Sequence, residues 1–533
     1  MKKKIYYALA LVFAGMTFAS CDSFLDILPD NRTTVDSEDK VRAIITSAYP
    51  DVTYALVTET MSDNADNTGD NNPCTDRFFD QAYAWKDITE VDNDAPEQVW
   101  DKTYNAIANA NLSLEGIENL GGATTASLKE LQAEALLARA YNHFVLVNVF
   151  CKAYNPATSG TDLGMAYVEK PLTELNPSLP RGTVAEDYEK IDRDIQAALP
   201  NVGDGHLSVP KYHFNVRAAY AFACRFYLYY QKWDEAIKYA NLCLGSSPKT
   251  LLRDWKAIGS MTQDIDAVSQ QYVKSDQNCN LLLTTAVSSL GTTFSAYYVY
   301  TKYNHANYIA THEDANAANI WGSASYYEPV RVYQGTNFDK SIFWKIPYLF
   351  EYTDQVAGIG YRRTVLTTFT TDECLLNRAE AYIMKKQYDN AAKDLTMWMQ
   401  NIVNTNMTLT PASITDFYKD IAYSYDVTED DPQGIESTIK KHLHPSFAID
   451  AEGSTQECML QCVLGFRRIE TLHEGMRWFD IKRYGIEIIR RTLDARGLPA
   501  KKTDVLLQDD DRRAIQIPQK CIDAGVQPNP RNK

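Results

Sequence analysis

Residues 464–489, LGFRRIETLHEGMRWFDIKRYGIEII, decide how this chain is read. Ile469, Leu472, Met476 and Phe479 stand 3, 4 and 3 apart, the spacing of one apolar stripe on an amphipathic helix. Arg467, Glu470, Glu474, Arg477, Asp480 and Arg483 surround that stripe. Opposite charges three residues apart (Arg467/Glu470, Glu474/Arg477, Asp480/Arg483) predict surface pairs, each worth about 0.2–0.5 kcal/mol. The stretch therefore predicts one charged amphipathic helix laid on a larger helical body.

The other end of the chain speaks to compartment. Residues 1–20 open with Lys2, Lys3 and Lys4, continue with an apolar run from Ile5 to Phe18, and close on small residues. That is signal-peptide anatomy, with a run too short to span a bilayer comfortably. Cys21 follows directly and is the expected site of lipidation. Several acyl chains on one cysteine would hold the protein firmly, since a single chain gives marginal binding. No other stretch is long and apolar enough to span a membrane.

With 533 residues the chain can bury a large core. Its formal charge of −16 becomes −19 once the three lysines of residues 1–20 are removed. Such a balance argues against nucleic acid and other polyanions as partners, and favours a neutral or locally recognised ligand. Besides Cys21 there are nine cysteines with no C-x-x-C pair, most of them read as small buried hydrophobes; a disulfide framework is not expected, while one or two bridges stay open.

Helical periodicity recurs along the chain. One block runs from Trp100 and Tyr104 through Asn111 to Leu128, Leu131, Ala135 and Ala138. A second holds Val216, Ala219, Tyr220, Ala223, Tyr227 and Tyr230, then Ala236, Ile237 and Ala240; a third holds Leu375, Ala379, Tyr382 and Ile383, then Ala391, Ala392 and Leu395. Superposing the joints Gln231–Ile237 and Lys386–Ala392 aligns Trp233 with Tyr388, and the following Asp and Ala fall in step. This is the grammar of tetratricopeptide-type helix–turn–helix repeats, here dispersed and not in tandem. The stripes are core positions. Between the second and third blocks, 251–365 has weak helical periodicity and aromatic clusters at 295–304 and 321–333, as expected of long loops with short elements.

No motif for nucleotide, metal or nucleophile chemistry emerges: there is no Walker loop, G-x-S-x-G or H-E-x-x-H. Residues 64–75 lack the ligand pattern of an EF-hand, and a looser calcium site at 63–72 is a minor alternative. His312-Glu313-Asp314 reads as a solvated loop. Neither cofactor nor metal is expected. What remains is aromatic and polar loop chemistry suited to sugars, whose apolar C–H faces stack on flat rings while their hydroxyls meet Asn, Asp and Arg. The candidate stackers are Trp85, Tyr297, Tyr298, Trp321 and Tyr326, with Arg77 and Asn304 as hydrogen bonders; each aromatic can equally be packed against the repeats.

Four motifs resemble the SusD/RagB family of outer-membrane nutrient-binding lipoproteins. Arg467, Glu470, Glu474, Gly475, Arg477, Trp478, Phe479, Asp480 and Arg483 fall on its C-terminal signature, with Thr471 and His473 as departures. Cys21, Phe24, Leu25, Asp26 and Pro29 match its lipoprotein start. Trp100, Tyr104, Ile107, Ala110 and Asn111 match its first repeat helix. Ile517, Pro518, Asn529 and Pro530 match its closing segment, with Lys520 in place of Glu. The resemblance implies a mainly α fold, a tetratricopeptide-like scaffold with an embedded loop-rich ligand face. It implies a signal peptide at 1–20, a lipid-anchored tether at 21–40, an N-terminal helical region at 41–250, a ligand-binding region at 251–365 and a C-terminal SusD/RagB region at 366–533. It also implies a protein that is not an enzyme: one held to the outer membrane by the lipid on Cys21, facing outward, capturing oligosaccharide or polysaccharide and passing it to a SusC-like TonB-dependent transporter. The alternative is a repeat-type interaction protein or a peptide-binding member.

Overall fold

The structure, a computed structural model, describes residues 35–69, 72–172, 179–294, 301–335 and 338–531. Residues 1–34, with Cys21, and Tyr297 and Tyr298 lie outside the described residues.

Helices dominate. A short helix α1 (Ala55–Met61) and α2 (Arg77–Tyr83) precede two long ones, α3 (Pro96–Asn119) and α4 (Ala126–Phe150). Then follow α5 (Val184–Ala198), the pair α6 (Val216–Tyr229) and α7 (Trp233–Leu244), and the pair α8 (Thr371–Met384) and α9 (Tyr388–Ile402). Local chemistry starts several of them: Thr125, Asn215 and Thr370 accept from backbone N–H groups as N-caps, and Thr183 with Glu186 forms a capping box. The two repeat pairs are built alike. Gln231 and Lys386, each two residues before the second helix, both take positive φ (60° and 56°). The next amide in each joint reaches back across the turn, Lys232 to Tyr227 O at 2.9 Å and Gln387 to Tyr382 O at 2.8 Å. Ala219, Ala223, Ala236, Ala240, Ala379, Ala391 and Ala392 are buried where helices meet. Tetratricopeptide-like pairing is therefore present at atomic detail.

The region between α7 and α8 is loop-rich, with short strands and helices. β2 (Asn280–Val287) pairs antiparallel with β7 (Ile359–Thr370), whose other neighbour is β6 (Leu349–Asp354); β4 (Arg331–Gly335) and β5 (Phe338–Ile342) form a hairpin. β7 runs through 365/366 without a break and ends at α8. A third sheet gathers distant pieces in the order β3-β1-β8-β9: β3 (Tyr303–Asn304), β1 (Asp66–Asn67), β8 (Ile488–Leu493) and β9 (Pro499–Leu506). Asp66 pairs with Asn304, Asn67 with Tyr303, and Asn67 with Thr492 on the other side.

The C-terminal stretch is two helices and not one. α10 (Thr455–Glu470) ends, a turn follows, and α11 (Arg477–Tyr484) begins. His473 and Gly475 have φ of 69° and 75°. A Cβ on Gly475 would lie 2.7 Å from Ala55 Cα, so only glycine fits. The buried Glu59 holds the turn by accepting from His473 N (2.8 Å) and Gly475 N (3.1 Å). With the helix broken, the charges regroup. Asp480/Arg483 remain paired at 3.0 Å, but Arg467 turns to Asp480, Arg477 to Asp63, Glu470 accepts from Trp398 and Glu474 meets Lys345. All of these charged groups except Glu474 are buried, which corrects the expected solvent-facing pairs. The apolar stripe Ile469, Leu472, Met476 and Phe479 is buried as the spacing required.

Candidate functional site

The third sheet positions the site. Its short strand β1 lies between β3 and β8, so the N-terminal loop, Tyr303–Asn304 and the β8–β9 hairpin meet in one place. There they surround an open cleft of about 540 Å³ lined by Asn67, Tyr83, Trp85, Lys86, Asp87, Tyr303, Arg490, Asp504, Arg512 and Arg531.

One wall is a ladder of flat groups. Tyr303 stacks on Tyr83 with centroids 4.4 Å apart and planes 18° from parallel. The Arg490 guanidinium lies over Tyr83 at 4.0 Å and over Trp85 at 4.3 Å, and Arg512 lies over Trp85 at 5.3 Å. A stacked ring and a guanidinium this close cannot share one face, so both faces of Tyr83 are taken. Tyr303 is the last ring of the ladder: it is half-buried, its hydroxyl donates to Asp80 at 2.9 Å, and the Lys302 ammonium lies 5.5 Å from its ring centroid. Trp85 takes φ of 52°, a conformation costing about 1 kcal/mol or more for a bulky residue. Its Nε1 donates to Met61 O at 2.9 Å, which holds the ring in place.

Arg490 sits beneath the cleft floor with all five N–H bonds directed at carbonyl oxygens, those of Tyr83, Ser62, Ala65, Thr60 and Met61. Burial lowers its pKa. Arg512 is held by Asp510 and Asp504, each at 2.7 Å, and its pKa is raised by the bond to Asp510. Arg531 pairs with Asp87 at 2.8 Å. Burial pushes the Tyr83 phenol up to about 12 and raises that of Tyr303, with Asp80 adding to the latter.

The structure separates the candidate residues named from the sequence. Trp85 belongs to the cleft wall, but it is 2% exposed and serves as a rung, not as an open platform. Asn304 neighbours Tyr303 on β3, buried, its amide donating to Thr301 O. Arg77 opens α2 on the surface, where it pairs with Glu90 at 3.2 Å. Trp321 is 5% exposed and packs against Phe466 and Tyr326, with ring centroids 5.6 and 5.7 Å away; Phe466 in turn stacks on Trp398 of α9. Tyr326 is half-buried beside it. For this pair, packing against the repeats replaces the expected stacking on a sugar. Tyr297, Tyr298 and Cys21 lie outside the described residues. Sequence reading passed over Tyr303, Tyr83 and Arg490; the position of Tyr303 in the cluster 295–304 was the available signal.

Two acids of the loop at 63–72, Asp63 and Asp66, are already engaged by arginines, while Asp70 lies outside the described residues. Arg477 grips Asp63 with two 2.8 Å bonds and Arg491 grips Asp66 with two of 3.0 Å. The solvated reading of 312–314 is overturned. Glu313 is buried among Lys441 (2.7 Å), Arg468 (3.0 Å) and Arg491 (3.0 Å), and Asp314 faces His305 at 3.3 Å. Burial opposes ionisation of Asp63 and Glu313, but the surrounding cations outweigh it and hold both well below the usual carboxylate range. The nine cysteines beyond Cys21 are free thiols, seven of them buried. Among the described residues no helix is long and apolar enough to cross a membrane.

Comparison with known proteins places this architecture. The profile described as "Starch-binding associating with outer membrane" matches residues 23–228, and the SusD family profile matches residues 227–521, over half of the chain. The chain belongs to the SusD family. Solved structures of the same fold include a SusD superfamily protein from Bacteroides thetaiotaomicron, 18% identical with a TM-score of 0.60 over 94% of this chain and 100% of that one. Others are a putative sugar-binding protein from Bacteroides vulgatus (16%, 0.59, 94% and 99%) and a SusD-like carbohydrate-binding protein from the same species (14%, 0.59, 92% and 96%). No curated protein matches. The C-terminal signature of this SusD-family chain is thus scaffold: it ties α10 and α11 to Asp63 and so fixes the loop that leads into the site.

Proposed function

We propose that this SusD-family protein is a non-catalytic glycan-binding lipoprotein. It is anchored through Cys21 to the outer membrane, facing outward, and hands oligosaccharide to a SusC-like TonB-dependent transporter. One observation carries the binding reading: Tyr303 ends a rigid ladder of rings and guanidinium groups at the mouth of an open, polar-lined cleft. A fixed aromatic face beside hydroxyl-seeking groups is what a sugar ring requires, and its pre-organisation lowers the entropic cost of binding. The described names of the two sugar-binding neighbours support the same ligand class. The cleft carboxylates Asp87 and Asp504 are each held by an arginine, which fixes acceptor oxygens for ligand hydroxyls. The region 251–365 contributes Tyr303 to this ligand face.

Calorimetric titration against plant and host oligosaccharides tests the reading. Binding of one glycan class, weakened by Tyr303→Ala and with no new reducing ends after long incubation, is the expected result. Binding that ignores Tyr303, or bond cleavage, overturns it. Pull-down of a transporter by the lipidated protein, lost in Cys21→Ser through mislocalisation, tests the partner and the anchor.

A further inference from the structure

The cleft has an electrostatic feature that a neutral sugar leaves unused. The whole chain carries −16, yet the cleft is lined by four cations, Lys86, Arg490, Arg512 and Arg531, against two acids, Asp87 and Asp504. Pairing removes two of the four: Arg512 is neutralised by Asp504 and Asp510, and Arg531 by Asp87. Lys86 is exposed and has no ion-pair partner among the described residues. Arg490 is 1% exposed and meets only neutral carbonyls and two ring faces.

Buried guanidinium groups ordinarily face a carboxylate, because an uncompensated charge away from water is costly. The contrast is one residue away. Arg491 points to the other face of β8 and is neutralised by Asp66 and Glu313, each at 3.0 Å. Arg490 therefore leaves a fixed positive field beneath the cleft, and Lys86 supplies an exposed ammonium in its lining. Such a field acts on a negative group entering the cleft, the more so at low salt. The chain's overall negative charge repels long polyanions, which limits the fit to a short glycan with isolated charges.

We propose that the ligand of this cleft is an acidic oligosaccharide, carrying a uronic acid carboxylate or a sulfate ester that is held at the Lys86 side while a ring stacks on Tyr303. This rests on the glycan-binding reading above and narrows it.

Two matched pairs test it by titration of the protein: a xylo-oligosaccharide with and without one glucuronic acid branch, and a galacto-oligosaccharide with and without one sulfate. The expected result is that the acidic member of one pair binds about tenfold tighter than its neutral partner at about 50 mM salt. Which pair responds distinguishes carboxylate from sulfate. The preference should collapse in Lys86→Ala, persist in Lys86→Arg, and shrink at about 500 mM salt. Equal binding within both pairs overturns the acidic ligand and leaves the glycan site standing. Absence of binding by all four compounds overturns the acidic-ligand proposal; whether any glycan binds is decided separately by the oligosaccharide panel above.

Discussion

Arg490 stacks on Tyr83, 407 residues away in sequence, with its guanidinium carbon 4.0 Å from the ring centroid. Through this contact the β8–β9 hairpin fixes the aromatic wall that Tyr303 completes. The wall is thus rigid because its rungs are shared between the two ends of the chain.

Tyr303→Ala should lower glycan affinity about tenfold or more, about 1.4 kcal/mol, by removing the terminal stacking face. Melting temperature should stay near that of the unaltered protein, because Tyr303 is half-buried at the end of the ladder. Titration and a thermal melt on the same preparation check both halves. Tyr303→Phe, which keeps the ring but loses the bond to Asp80, should retain most of the affinity.

Trp321→Ala should behave in the opposite way. Its ring is packed between Tyr326 and Phe466, so truncation opens a cavity and costs about 3–5 kcal/mol of stability. Affinity of the folded protein should stay unchanged, since Trp321 does not line the cleft. Denaturant unfolding followed by titration below the transition distinguishes the two effects.

These two residues show what the sequence could and could not tell. The repeat pairs were legible because they are local: small residues at helical spacing and an aromatic at each joint put Trp233 and Tyr388 in matching turns. The break at 471–476 was hidden, because what holds the turn is Glu59, more than 400 residues upstream. Removing continuity at that point also defeated the expected pairing of Arg467 with Glu470 and of Glu474 with Arg477. The site was half legible. Of the loops rich in rings and polar groups, the stretches around Trp85 and Asn304 meet at the cleft. Which ring stays open is a tertiary matter: Trp321 packs against Tyr326 and Phe466 of α10, and Trp85 lies under Arg490 and Arg512, none of which spacing reveals.

Gly475→Ala should destabilise the fold by about 2 kcal/mol or more, since it adds both a strained φ and a Cβ against the backbone of Ala55. A lower denaturant midpoint with an unchanged slope is the expected signature. A neutral result would mean that α1 and the turn can separate without cost.

Acid should loosen the junction between the N-terminal loop and α10–α11. Asp63 and Glu313 have pKa values depressed in the folded state, so each contributes stability that is present above the unfolded carboxylate value of about 4 and is lost as pH falls through the folded value. Melting temperature should be flat from about pH 7 to about pH 5 and fall steeply below about pH 4. Asp63→Asn should make that fall shallower while costing about 3 kcal/mol at neutral pH, because it strands Arg477 and Arg468. A slope unaltered by the substitution would contradict this.

The most direct test of the central claim is a titration of one glycan ligand against the unaltered protein, Tyr303→Ala and Trp321→Phe in parallel. If the Tyr303 cleft captures the glycan, the first substitution weakens binding about tenfold and the second leaves it intact. Intact binding by Tyr303→Ala, or loss of binding by Trp321→Phe in a protein that remains folded, would place the site elsewhere.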